Sequence, residues 1–222
     1  HQVLHRAEEL YFLYKMDGIF QSPEDVTNHY TEVVQPDGSI KNTVLQPDAK
    51  PGDIRFKDLN NDGVIDENDK EYCGSGIPKL EANLSFSGSY KGVDLSFLLG
   101  SAWGHKLYNA NRLYYESMDA GINLFKSTLG AWTEDNRSNV MPRAILKDPN
   151  MNSRESDRFL EKGNFIRLRQ LQVGYTLPKN LTKKVYIDKC RFYVSGENLL
   201  TWTNYSGIDP EFSSSILDTG VD

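Results

Sequence analysis

Between Asn164 and Pro210 the apolar residues fall at every second position along two segments, the pattern of strands that are dry on one side and wet on the other. The first segment runs from about Phe165 to Leu177. In its second half Leu171, Val173, Tyr175 and Leu177 alternate with Gln172, Gly174 and Thr176, and Leu177-Pro178 ends it. In Ile166 to Gln170 the apolar residues take the opposite parity, which predicts a bulge near Arg169 and Gln170. The second segment runs from about Lys189 to Trp202, with Cys190, Phe192, Val194 and Gly196 on one face and Arg191, Ser195 and Glu197 on the other. Tyr193 interrupts its alternation. Upstream, Ala82, Leu84, Phe86, Gly88 and Tyr90 alternate without error with Asn83, Ser85, Ser87 and Ser89. Lys91-Gly92 then predicts a tight turn, and Val93 to Trp103 the returning strand.

The remaining elements are shorter. Leu10 to Phe20 reads as a strand, a turn at Asp17-Gly18 and a re-entry. Ser22 followed by Pro23, Glu24 and Asp25 predicts a short helix capped by Ser22. Thr31 to Pro51 is a loop with one hairpin around Asp37-Gly38. Gly104 to Gly163 is long, polar and broken by Pro142 and Pro149, with helices expected within 106–117 and near 122–132. So long a span is odd in a compact soluble domain and ordinary in a membrane barrel, where short turns alternate with long loops. Counting strand crossings puts the 53–72 loop, the 104–163 loop and the tail after Trp202 on one side, and the turns at Lys91-Gly92 and Pro178 to Asp188 on the other. The fold class expected is all-β and antiparallel, as a sandwich or as a barrel wall with lipid outside and water inside. Tyr90 and Trp103 stand at strand ends, where an interfacial aromatic girdle would lie.

Candidate chemistry is concentrated in Asp58 to Asp69. Oxygen donors fall at loop positions 1, 3, 5, 9 and 12, with glycine at 6 and an apolar residue at 8, as in a calcium loop. The expected ligands are Asp58, Asn60, Asp62, the Val64 carbonyl, Asp66 and Asp69, and Gly63 permits the sharp turn between them. Position 12 is Asp69 in place of the usual glutamate, which shortens the bidentate reach. Cys73-Gly74-Ser75-Gly76 cannot begin an EF-hand helix, so the loop stands alone. The reading is a structural calcium site that pins the 53–72 loop; an acidic solvated turn is the alternative.

Composition narrows the function class. Over 222 residues, 38% are hydrophobic and 25% charged, and the mean hydropathy is -0.56. No apolar run approaches the roughly 18 residues of a membrane helix, but a barrel's alternating pattern averages out in such a figure. A net charge of -6, with no basic stripe along a strand or helix, argues against nucleic acid. Cys73 and Cys190 have no CxxC spacing and are read as free thiols. The first residues have no basic segment followed by an apolar one, so the chain is expected to be either cytosolic or an excised piece. There is no GxSxG, HExxH or Walker pattern, and His1, His5, His29 and His105 lack ligand spacing, so no enzyme is expected.

An ordered set of segments carries a family resemblance. These are YKMDGIFQ (Tyr14 to Gln21), PGDIRFKD (Pro51 to Asp58) leading into the calcium-type loop, the hairpin after Ile77-Pro78, NFIRLR (Asn164 to Arg169) with GYTLP (Gly174 to Pro178), and GENLLTWT (Gly196 to Thr203). Together they resemble the C-terminal barrel region of the SusC/RagA-family TonB-linked outer-membrane transporters of Bacteroidota. The resemblance implies an antiparallel transmembrane β-barrel fragment with long hairpins, long external loops and short periplasmic turns, in the bacterial outer membrane. It further implies import of glycan fragments or peptides, a SusD-like substrate-binding lipoprotein as partner, energy from TonB through an N-terminal region not visible here, and contact with outer-membrane lipid. No plug, TonB box or aromatic-ended closing strand is seen, so a fragment is expected. The alternative is a secreted calcium-stabilised all-β carbohydrate-binding module or adhesin, with Trp103, Trp132 and Trp202 as sugar platforms. A calcium-dependent glycosidase ranks behind both, because no carboxylate pair stands out. The deciding feature is whether Leu84, Phe86, Leu95, Phe97, Val173, Tyr175, Phe192 and Val194 form one uncovered band.

Overall fold

In the computed structural model, which describes residues 10–119 and 121–211, the alternating segments form strands and pair with their chain neighbours. The described residues divide into two units, 10–74 with 108–161 and 75–107 with 162–211. The first contains β1 (Leu10–Tyr14), β2 (Met16–Ile19), β3 (Tyr30–Val34), β4 (Ile40–Val44), β5 (Ile54–Phe56) and β6 (Lys70–Ser75). They pair as β1 with β6, β2 with β5 and β3 with β4.

The turn expected at Asp17-Gly18 lies inside β2. Gly18 takes φ +112 and the pairing with β5 slips between Met16 and Ile19, so the chain bends there without reversing. Helix Pro23–Thr27 starts as expected: the Ser22 hydroxyl accepts from the Asp25 amide at 3.2 Å, and the Asp25 carboxylate accepts from the Ser22 amide at 3.1 Å. The β3–β4 hairpin forms around Asp37-Gly38, where Asp37 accepts from the Ser39 amide at 2.9 Å. Tyr14, Ile19, Ile54, Phe56 and Trp132 form one apolar core, and Phe20, Val26 and Ala49 a second. The long segment adds helix Ala110–Tyr115 and 3₁₀ turns at Lys126–Gly130 and Asp157–Phe159. Where a helix was expected near 122–132 there is only the 3₁₀ turn, which has no side-chain cap at Phe125.

The second unit is a four-stranded antiparallel sheet. After β7 (Leu80–Tyr90) and β8 (Val93–Trp103) come the short β9 (Lys106–Tyr108) and β10 (Leu160–Lys162), which pair with each other, then β11 (Phe165–Thr176) and β12 (Arg191–Thr203). The sheet order is β12-β11-β8-β7. Lys91 and Gly92 both take left-handed φ, +49 and +90, which gives the two-residue turn that suits the right-handed twist of a hairpin. A side chain at position 92 would meet the Thr176 carbonyl at 2.8 Å, so glycine is required there twice over. The predicted bulge is present: pairing of β11 with both β8 and β12 shifts between Leu168 and Gln170.

Deleting Arg169 should therefore turn Ile166 and Leu168 to the polar face, at a cost of about 3–6 kcal/mol in lost apolar placement. Arg169→Ala keeps the extra residue and should retain the sheet. Migration of the full-length protein on unboiled gels checks this; equal folded fractions for the deletion and the alanine variant would refute the role given to the bulge.

Candidate functional site

The bulge places one set of side chains on one face of all four strands. Read across the register, Leu84 faces Leu99, which faces Leu168, which faces Leu200. Phe86 faces Phe97, then Leu171 and Gly196; Gly88 faces Leu95, Val173 and Val194; and Tyr90 faces Val93, Tyr175 and Phe192. At the other end Leu80 faces Trp103, and Ile166 faces Trp202. This face is largely open: Val194 is 77% exposed, Phe192 64% and Leu84 58%. Phe86 and Phe97 stack at 5.4 Å, and both sides of the band end in aromatic residues. The 11-residue β7 spans about 33 Å at the usual rise, or about 25 Å when tilted as in membrane barrels. That height matches the hydrocarbon zone.

The opposite face is polar and ionic. Ser85, Ser87 and Ser89 share it with Ser96, Gln170, Gln172 and Ser195. Arg191 reaches across Gly174 to Asp94 with Nε–Oδ1 at 2.9 Å; any side chain at 174 would collide with both partners. Arg167 pairs with Asp209 and, at 3.0 Å, with Glu211, while Arg169 pairs with Glu211 at 2.6 Å. Arg169 lies over Gly100, where a Cβ would collide with its guanidinium. The segment after β12 is thus tied to the polar face by two guanidinium groups.

Within the calcium-type loop, Asp58 accepts from the amides of Asn61 at 2.7 Å and Gly63 at 3.0 Å. Asn60 accepts from the Asp62 amide, and Asp62 accepts from the Val64 amide and the Asn60 side chain. Asp66 caps the 3₁₀ turn Glu67–Asp69. Asp69 is fully buried and accepts from the amides of Leu59 and Asp66, both at 2.8 Å. Asp58, Asn60 and Asp62 therefore share one turn, and Asp69 closes the loop from its far end. Among the described residues no group of three or more His, Cys, Asp or Glu side chains gathers round a single ion position. Gly63, at φ +89, packs where a Cβ would meet Val33 at 2.8 Å, so the loop lies against the β3–β4 hairpin.

The long segment is held to residues 46–56 by side-chain amides. The Ile54 amide donates to Asn152 and the Phe56 amide to Gln46, at 2.7 and 2.9 Å; Gln46 and Asn150 both donate to the Ile54 carbonyl. Buried Asp53 takes a two-pronged bond from Arg143 at 2.7 and 2.9 Å and another from Asn152. A second buried carboxylate, Glu116, pairs with Arg112 and Arg158 at 3.1 and 3.0 Å and accepts from Ser127. Burial pushes the Arg158 guanidinium down to about 10, still charged at neutral pH. Trp132 is buried and donates to Gln21, so it cannot serve as a sugar platform.

No protein-family model matches the chain. It is 28% identical over 215 residues to TonB-dependent receptor P3 of Formosa agariphila, covering 95% of this chain and 19% of that protein. With TonB-dependent receptor SusC of Bacteroides thetaiotaomicron it shares 27% identity over 175 residues, covering 78% of this chain and 17% of the receptor. Among solved structures, the RagAB peptide importer in its closed-closed state matches with a TM-score of 0.63 at 24% identity, covering 90% of this chain and 20% of that one. The open-open state of that importer matches with a TM-score of 0.61. Over most of its length the chain is thus similar to stretches of several TonB-dependent receptors, SusC among them, and it shares its fold with part of the RagAB importer. It spans about a fifth of the length of the relatives it matches.

The described part of the chain thus combines a barrel-type sheet with a loop assembly of ionic and amide contacts. Sequence reasoning found the sheet faces but missed the set of Asp53, Arg143, Asn150 and Asn152: Asp53 stood within the PGDIRFKD segment with no role assigned to it, and the other three had only their polarity within the long 104–163 loop as a signal. His1, His5 and the tail beyond Glu211 lie outside the described residues. His29 packs edge-on to Phe20, and its Nε2 meets the Phe56 carbonyl at 2.9 Å, so that nitrogen carries the hydrogen. Burial holds its pKa below the usual histidine value. Because the folded pKa is depressed, its stabilising contribution is full above about pH 6.5 and is lost as pH falls toward the folded value. Protease cleavage within 29–57 should rise severalfold from pH 7.5 to 5 and stay flat in His29→Gln; the same rise in the variant would refute this.

Proposed function

We propose that this chain forms barrel wall and external loops of an outer-membrane TonB-dependent transporter that imports glycan fragments or peptides. The observation that carries the reading is the uncovered apolar face running across four strands, with serines, glutamines and ion pairs on the reverse. A sheet face of that kind needs lipid, and its reverse needs water. The long segment, with its folded core of buried ion pairs, is suited to hold a fixed shape on the external side. A SusD-like substrate-binding lipoprotein is the partner there, and TonB supplies energy through another part of the receptor. The chain has no catalytic role in this reading. The full-length receptor should fractionate with outer membrane and migrate faster unboiled than boiled; a soluble, heat-insensitive product would refute the proposal.

The 58–69 loop is proposed to hold calcium through Asp58, Asn60, Asp62, the Val64 carbonyl, Asp66 and Asp69. The donors are all hard oxygens, and each carboxylate oxygen that accepts one amide keeps a second lone pair. Calcium bound there would pin the loop against the β3–β4 hairpin and take no part in transport chemistry. Calcium should slow protease cleavage within 53–72 severalfold in the native receptor and have no such effect in Asp62→Ala, with the strands intact in both. Cleavage of the native loop that is unchanged by calcium or by a chelator would overturn the assignment.

A further inference from the structure

The short-turn end of the four-stranded sheet carries charge opposite to that of the chain as a whole. Against a net charge of -6, Lys91, Lys179, Lys183, Lys184 and Lys189 stand in two turns with one acid among them, Asp188. The two turns are neighbours: the Thr176 amide donates to the Gly92 carbonyl at 2.7 Å, and the Leu177 amide to the Cys190 carbonyl at 2.9 Å. All five lysines are exposed. Among the described residues none of them lies within ion-pair distance of a carboxylate; Lys189 feels the charge of Asp94, but that carboxylate is bonded to Arg191. Lys91 instead lies over the Tyr90 ring, its Nζ 5.1 Å from the centroid.

Apolar groups are exposed among these lysines. Tyr186, in a left-handed conformation after the 3₁₀ turn Lys183–Val185, is 99% exposed, and Leu181 and Ile187 are also open. The same end of the sheet shows Tyr90, Val93, Tyr175 and Phe192, the last row of the apolar band. A soluble anion or an acidic protein segment would answer the lysines but leave Tyr186, Leu181 and Ile187 in water. A lipid surface answers both, since lysine with exposed aromatic and aliphatic groups at the edge of an apolar band is the composition of a membrane interface.

We propose that this rim binds the headgroups of anionic phospholipids, with the lysines on phosphate and Tyr186, Leu181 and Ile187 at the acyl boundary. The proposal rests on the barrel reading above. The test uses the full-length receptor in detergent, given equal amounts of phosphatidylglycerol and phosphatidylcholine, with retained lipid counted by native mass spectrometry. Because each basic group near an anionic surface strengthens binding about fivefold, the native receptor should retain phosphatidylglycerol at least about tenfold over phosphatidylcholine. Lys179, Lys183 and Lys184 replaced together by Gln should abolish that preference, and the same three replaced by Arg should keep it. Raising salt on the native receptor should weaken it without any substitution. No preference in the native receptor, an undiminished preference in the glutamine variant, or one that inorganic phosphate removes at unchanged ionic strength would overturn the proposal. Unboiled gel migration separates the two readings: a native receptor that shifts on heating but lacks the lipid preference loses only this proposal, and one that does not shift loses both.

Discussion

Side-chain parity along β11 is the constraint on which the sheet depends. β11 is a central strand, bonded to β8 on one side and β12 on the other, so an error in its register would be felt by both neighbours. Its apolar residues change parity between Leu168 and Leu171, and a regular strand would put half of them in water on the wrong face. The extra residue, Arg169, absorbs the change. β12 answers at the same level: Leu168 pairs with Leu200 and Gln170 with Glu197, so an additional residue is accommodated there too, with Asn198 at φ +50. Freed from the regular ladder, Arg169 crosses Gly100 on the polar face and meets Glu211. One irregularity thus completes the apolar band and supplies an anchor for the chain that follows β12.

A different device shapes the other unit. Among the described residues β5 has a strand partner on one edge only, and its other edge would expose backbone donors and acceptors. Gln46, Asn150 and Asn152 meet those groups with side-chain amides, which carry a donor and an acceptor at fixed spacing and so imitate a strand. Asp53 beside them would be costly to bury alone. Arg143 and Asn152 satisfy it, and the cost of breaking that set falls on any movement of residues 143–152. Long polar segments acquire a fixed shape in this way without an apolar core of their own.

Period-two alternation made the strands, their faces and the bulge legible in advance, because each depends on residues adjacent in the chain. Ser22 and Asp25 were legible for the same reason. Asp17-Gly18 misled: the pair favours a turn locally, but pairing of Met16 and Ile19 with Phe56 and Ile54 holds it in a strand. The amide contacts of Asn150 and Asn152 reach back roughly a hundred positions in the chain, and nothing local distinguishes these residues from solvated ones. The reach of Arg191 to Asp94 over Gly174 was hidden in the same way. Trp132 shows the hazard of reading a residue type without its surroundings, since an aromatic platform and a core residue look alike in sequence.

Polarity is distributed here in the reverse of a soluble sandwich. A sandwich hides its apolar faces between two sheets, so that ion pairs lie outside. In this sheet Phe192, Val194 and Leu84 are open, while Asp94, Arg167, Arg169 and Arg191 are paired on the opposite face. A mean hydropathy of -0.56 conceals this because each apolar residue in a strand is offset by a polar neighbour, and the loops add more polar residues. The two remaining tryptophans fit the same logic. Trp103 and Trp202 stand on the apolar face at the long-loop end, and Tyr90, Tyr175 and Phe192 stand on it at the other. Aromatic residues at both limits of an apolar band mark the two water boundaries of a membrane, whereas a sugar platform needs them gathered in one place.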